Sequence, residues 1–478
     1  MEHQILSGLQ PKEVWKYFEE ICAIPHGSGQ TKQISDYCVN FAKEHHLRYS
    51  QDMYNNVIIW KDGTGSQKSK KALILQGHID MVCVKDDACQ KDMLKEGLDL
   101  TVSDGFVYAK GTSLGGDDGI AVAFCLAILA SDENIHPPLE VILTTDEETT
   151  MEGARQLEVG ELRGKRMINL DSEAEGVFTV GCAGGSHVFA EIPVNRVECD
   201  YSQLFIRIDG LCGGHSGEEI SKGRGNAIKL LSKILFRGFE VDDIRLVEFD
   251  GGEKDNAIPR QAQAVIAVKD KTAFLTILQE EMLAIKNELK FTDRNVHIEV
   301  SDIVSGGMPM DEDSSRRVLF FLHSVPDGIQ ALCEMQVETS LNLGVLRMKK
   351  EKMSAYFCVR SSVNRKRHNI NSVLKCIASL AGGNAVVESS YPAWEYCGDT
   401  PLISCMKQIY QKVYGNSPAL KITHGGLECS LLTDKITGLA CISIGPDIHD
   451  IHTSKERLSI ASTERVWQFL LTVLSEIK

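Results

Sequence analysis

The sequence predicts an α/β protein of two domains, an α/β sandwich interrupted by an inserted α+β domain whose repeating pattern suggests internal duplication. Three observations predict it. The 478-residue chain is too long for one ordinary hydrophobic core. Its first third alternates helical patterns with short, almost wholly apolar runs, the mark of parallel strands covered on both faces. Near residue 186 these give way to alternating strands flanked by helices, and α/β character returns after residue 392. The expected domains are residues 1–185 and 393–478 for the sandwich, and 186–392 for the insertion.

The elements follow in order. Val14, Tyr17, Phe18 and Ile21 recur at spacings of three and four, predicting a helix over 11–24 with Pro11 in its first turn and Pro25 near its end. A second helix is expected over 30–44, then strands at 56–60 and 72–77. The run from Gly119 to Leu129 is apolar nearly all round and rich in Ala, which favours a buried helix. Residues 139–144 and 166–170 read as further strands. In the insertion, Leu204 to Ile208 alternates like a half-exposed antiparallel strand, whereas Ala264 to Val268 alternates only in side-chain size and reads as more buried. Helices are expected over 226–238 and 273–287. A related strand pattern returns at 316–321 and 355–360, followed by a helix over 369–380. The last segment offers helices over 400–413 and 463–476 and a strand over 439–444.

Composition removes several function classes. Lys plus Arg number 51 against 66 Asp plus Glu, a formal charge of -15 that repels a phosphate backbone. The short basic stretch Arg347, Lys349, Lys350, Lys352 has no interleaved aromatic platform and reads as a solvated element end, so no nucleic-acid partner is expected. The N-terminal stretch lacks a basic region followed by an apolar core, so no signal peptide is expected. No apolar run approaches the length of a membrane span, and no membrane association is expected. Fifteen Cys occur without a C-x-x-C pair, which fits buried thiols such as Cys22, Cys125 and Cys429 in a reducing cytoplasm.

Chemistry concentrates at strand ends. His78 and Asp80 follow the 72–77 strand; Asp117 and Asp118 sit between glycines before the buried helix; Glu147 and Glu148 follow the 139–144 strand; Asp171 follows the 166–170 strand. His452 lies far downstream. Strand ends are where α/β sheets place their sites. Mixed imidazole and carboxylate donors suit divalent zinc, manganese or cobalt, and two cations would relieve the repulsion among clustered carboxylates. Taken separately, each motif has a commonplace reading: a structural His, an Asp-Asp-Gly turn, a solvated or helix-capping acid. Spacing alone leaves the metal-binding and structural readings both standing.

The ordered series VWKYFEEICAIPHGSG, LQGHIDMV, GTSLGGDDGIAVA, TTDEETTMEGA, INLDSE, GLCGGHSGEEI, GRGNA, HGGLECS and SIGPDIHDIHTSKER resembles the M20 clan of metallopeptidases, in its aminoacyl-histidine dipeptidase (PepD-like) branch. The resemblance spans nearly the whole chain. It implies a catalytic sandwich carrying two metal ions and an inserted lid or dimerisation domain. It assigns His78 and Asp171 to one metal, Glu148 and His452 to the other, and Asp117 as the bridge, leaving Asp118 outside. It implies Asp80 as the carboxylate that orients His78, Glu147 as general base, and His215 as the donor to the tetrahedral oxygen. Asn256 and Arg360 are weaker matches for groups that hold the substrate carboxylate. His449 is a rival to His452; the family's pattern favours His452, although Ser454 stands where members commonly have Pro. The implied activity is di-metal hydrolysis, with zinc the leading metal, of dipeptides with a free N-terminus, Xaa-His included. Homodimerisation through the insertion is compatible with the resemblance. A tripeptidase, an N-acyl amino acid deacylase and a non-catalytic metal-binding homologue are the alternatives.

Overall fold

The computed structural model describes residues 5–304, 306–334 and 336–477. The first four residues of the N-terminal stretch read above, and Lys478, lie outside them. The chain divides into two compact units: Met1–Gly181 with Tyr396–Ile422 and Leu427–Lys478, and Cys182–Glu395 with Thr423–Gly426.

The first unit is built on an eight-stranded sheet. Its order is Arg48–Gln51, Val57–Lys61, Leu139–Thr144, Leu73–His78, Arg166–Asn169, Ala440–Ser443, Val177–Cys182 and Ala419–Thr423. The strands 139–144, 73–78, 166–169 and 440–443 run parallel to one another, so their carboxyl ends share one edge, and they are flanked by antiparallel strands on both sides. Strands 73–78 and 139–144 are buried at every residue, as their continuous apolar sequence requires. The helix Gly116–Ala130 is likewise buried on all sides through Leu129. Trp15 and Phe18 of the helix Lys12–Cys22 are wholly buried, each contributing roughly 1.5–3 kcal/mol by leaving water. A smaller four-stranded sheet contains the hairpin Ile448–His449 and Arg457–Ser459, whose loop presents His452.

The second unit is a nine-stranded antiparallel sheet. Its main order is His297–Ile303, Ser202–Asp209, Ala262–Val268, Ile244–Gly251, Gln336–Met348, Lys352–Ser361, Gly184–Pro193, Asn384–Tyr391. The order is symmetric about its centre. Strand 202–209, helix Ala227–Val241, strands 244–251 and 262–268, helix Lys271–Glu288 and strand 297–303 form one half. Strand 184–193, helix Glu312–Ser324, strands 336–348 and 352–361, helix Asn364–Leu380 and strand 384–391 repeat that plan. The first half is inserted after the first strand of the second. The sequence shows this duplication only as a returning pattern, because the insertion separates the second copy's first strand from the rest.

One expected strand is corrected. Residues 316–321 lie in the helix Glu312–Ser324. The Asp311 side chain accepts from Ser314 N, Glu312 and Asp313 stand in the first turn, and Ser314, Ser315, Val318, Leu319, Phe321 and Leu322 are buried at helical spacing. Among the described residues, no helix is long and apolar enough to cross a membrane.

Candidate metal centre

His78 ends its strand with both ring nitrogens committed. Nδ1 lies 3.0 Å from the Asp80 carbonyl oxygen and 3.4 Å from the Asp80 carboxylate, both acceptors, so Nδ1 carries the proton. Nε2 faces Asp117 Oδ1 at 3.2 Å and Asp171 Oδ1 at 3.8 Å. Asp117 divides its oxygens: Oδ1 faces His78, and Oδ2 lies 3.3 Å from His452 Nε2. That same nitrogen is 2.8 Å from Glu148 Oε2. Asp171, His78, Asp117, His452 and Glu148 thus form a continuous line of donors from five separate segments. His449 is elsewhere, against Phe106 with 5.7 Å between ring centroids.

The supports explain the placement. Asp80 is buried, and its carboxylate accepts from Ser28 Oγ at 2.8 Å, Glu147 N at 3.1 Å and Glu148 N at 3.4 Å. One side chain therefore fixes both the imidazole and the backbone of the Glu147–Glu148 pair. Burial alone would raise the Asp80 carboxyl, but its hydrogen bonds hold it below the usual range. Glu456 accepts from the N–H groups of Leu114, Gly115, Gly116 and Asp117 at 2.7–3.3 Å. It tethers the His452 loop to the turn bearing Asp117. In that loop the Ser454 hydroxyl donates to Asp86.

The electrostatics fit added positive charge. Burial, reinforced by neighbouring carboxylates, raises Asp118, Glu147, Glu148 and Asp171. Asp117 is the exception: hydrogen bonds from His452 and His78 overcome its burial and bring it down. Its bonds to Asp117 and then Glu148 push His452 up to about 11, and in His78 carboxylate bonds overcome a burial penalty that acts the other way. Asp80, Asp117 and Asp171 thus draw His78, and Asp117 and Glu148 draw His452, toward the cationic form, a demand that divalent cations would meet. Two groups have donor atoms mutually within 4.8 Å: His78, Asp117 and Glu148, and His78, Asp118 and Asp171. Asp118, set aside as a ligand above, reaches the second group, although its Oδ2 already accepts from His78 N at 3.1 Å.

The remaining candidates meet in the second unit. His215 pairs with Ala257 in a short ladder, and Ser216 N donates to Asn256 O at 2.8 Å. The His215 Nδ1 accepts from Glu218 N at 3.2 Å, which leaves the proton of the neutral ring on Nε2. Arg360 Nη2 is 3.4 Å from that Nε2, and Nη1 donates to Tyr391 Oη at 3.2 Å. Arg360 is buried. Two residues escaped the sequence reading. Asn342 Nδ2 donates to the carbonyls of Asp255 and Ala257 at 2.7 and 2.9 Å, clamping both sides of Asn256. His424 bonds Ser340 Oγ at 2.7 Å beside Arg360 and His215. Its His-Gly-Gly motif was the available signal; Asn342 had none.

An imidazole–carboxylate cluster at the carboxyl ends of a parallel sheet defines a metal-dependent hydrolase. The chain belongs to peptidase family M20/M25/M40, whose sequence pattern matches residues 74–476, and it is a metal-dependent peptidase of that type. It is 34% identical over 479 residues to the cytosol non-specific dipeptidase of Escherichia coli (strain K12), covering 99% of both chains. The crystal structure of aminoacylhistidine dipeptidase from Vibrio alginolyticus is 33% identical with a TM-score of 0.91, covering 100% of this chain and 99% of that one. Aminopeptidase PepT from Bacillus cereus shares the fold at 15% identity and a TM-score of 0.56, over 98% of this chain and 99% of its own.

Proposed function

We propose that this peptidase hydrolyses dipeptides with a free N-terminus, Xaa-His among them, in the cytoplasm. Similarity to the two dipeptidases supports the substrate class. Fifteen cysteines without a C-x-x-C pair support a reducing compartment. The observation that carries the reading is Asp117, shared between His78 and His452 with Asp171 and Glu148 on either side.

His78 and Asp171 would hold one divalent ion, Glu148 and His452 the other, with Asp117 between them; zinc is the first choice, and manganese or cobalt suit the same donors. Bound there, the pair would supply Lewis-acid activation of water and of the scissile carbonyl. Glu147 takes the proton from the attacking water and returns it to the departing amine nitrogen. Its carboxyl is raised by burial first and by neighbouring carboxylates next, which suits a group that must hold a proton between the two steps. Asp80 keeps His78 oriented. The Nε2–H of His215 donates to the tetrahedral oxygen, while Arg360, with Asn256, holds the substrate carboxylate. The inserted unit is also where a homodimer would form.

Glu147→Gln tests the assignment: metal content is expected to stay at two per chain while kcat falls roughly 10²–10⁴-fold. Loss of metal would make Glu147 a ligand, and unchanged kcat would remove it from the mechanism. A panel of dipeptides, tripeptides, tetrapeptides and N-acyl amino acids tests the substrate class. Dipeptides are expected to be cleaved fastest; preferential release of acyl groups would make the enzyme a deacylase.

A further inference from the structure

Directly beneath the donor line lies a second buried polar layer. Gln76 stands two residues before His78 on the same strand face, Asn169 stands two residues before Asp171, and Thr144 pairs with His78 at the end of the strand that leads to Glu147 and Glu148. All three are fully buried. Their bonds run in one direction. Asn169 Nδ2 donates to Gln76 Oε1 at 2.6 Å, and Gln76 Nε2 donates to Glu428 Oε2 at 2.6 Å. The Thr144 hydroxyl donates to the same Glu428 oxygen. Glu428 is itself fully buried, immediately before the helix Cys429–Lys435, and its sequence partners are hundreds of residues away.

We infer that Glu428 is a positioning residue for the metal centre, the common acceptor that locks together the three strand ends bearing His78, Glu148 and Asp171. The physical reason is the direction of the chain. The amide of Gln76 is fixed by Asn169 on its oxygen, so its two N–H groups must find acceptors: Thr144 Oγ1 lies at 3.1 Å and Glu428 at 2.6 Å, while the single hydroxyl proton of Thr144 has Glu428 nearer than Gly77 O at 3.3 Å. Removing the carboxylate leaves one N–H of Gln76 without an acceptor and the Thr144 hydroxyl with only Gly77 O, at 3.3 Å, and so loosens the packing of the paired strand ends beneath the ligands. Metal ligands tolerate little displacement, so loosening their support weakens binding.

This inference rests on the two-metal reading, and metal affinity separates the two. The measurement is competition for zinc against a chelator of known affinity, on purified full-length wild type, Glu428→Leu, Glu428→Gln and Thr144→Val, with circular dichroism of the metal-free proteins as the folding control. Glu428→Leu keeps the volume but removes the acceptor, and its zinc Kd is expected to rise about 10-fold. Glu428→Gln keeps an oxygen that accepts both bonds and is expected to stay nearer to wild type than Glu428→Leu. Thr144→Val deletes one donor and is expected to weaken zinc in the same direction, which decides the matter if Glu428→Leu fails to fold. A wild type that binds no zinc overturns the two-metal reading. Tight binding by wild type together with an unchanged Kd in folded Glu428→Leu, or in Thr144→Val where Glu428→Leu is unfolded, overturns the role of Glu428 alone.

Discussion

Asp80 shows how much one side chain can organise. It faces His78 Nδ1 and also receives the backbone N–H groups of Glu147 and Glu148, so an imidazole donor and the proposed base share one anchor. Asp80→Ala is expected to weaken metal binding about 10- to 100-fold and to lower kcat even when metal is saturating, because Glu147 loses its support as well. A change confined to metal affinity would limit Asp80 to orienting His78. At the same scale, His452→Gln is expected to lower metal content while His449→Gln leaves it unchanged; metal analysis of the two variants decides between them. His424 gives a test that involves no metal. Burial, followed by the cationic Arg360 and by His215, pushes its imidazole down from 6.5 to about 4. The folded state therefore binds fewer protons than the unfolded state between those values. The stability contribution is complete above pH 6.5 and is lost as pH falls toward 4. His424→Gln should flatten the urea-unfolding midpoint across that window; an unchanged slope would contradict the assignment.

Elements explain what could be read in advance. The helix Lys12–Cys22, the two fully buried strands and the helix Gly116–Ala130 follow hydrophobic pattern and turn chemistry that are local in sequence. Strand-end motifs were legible for the same reason. The misreading at 316–321 came from a short apolar run with β-branched and aromatic residues, which periodicity alone cannot assign; the Asp311 cap was the overlooked signal. Replacing it by Ala is expected to cost about 1 kcal/mol in chemical denaturation. Glu456 and Glu428 were illegible because their partners lie 339–342 and 284–352 residues away. Both lie inside motifs that carry the resemblance, HGGLECS and SIGPDIHDIHTSKER, but nothing local in either says which distant groups the acid accepts from. Glu456→Ala removes the acceptor of four buried N–H groups at once, and is expected to cost about 3 kcal/mol or more. An unchanged denaturation midpoint would show that the Leu114–Asp117 turn holds itself.

At the scale of the whole molecule, the first unit gathers its donors from segments spread between residues 78 and 452. No single motif specifies the centre, and only the folded sheet brings them into one line. The second unit reaches its size by repeating one plan of four strands and two helices, with one copy inserted into the other. The most direct test of the central claim is anomalous X-ray diffraction from crystals of the zinc-loaded protein, recorded on both sides of the absorption edge. Two peaks are expected, each about 2.0–2.2 Å from its protein donors, with His78 and Asp171 at one, Glu148 and His452 at the other, and Asp117 touching both. A single peak, or a pair held by Asp118 or His449 in place of Asp117 or His452, would contradict it.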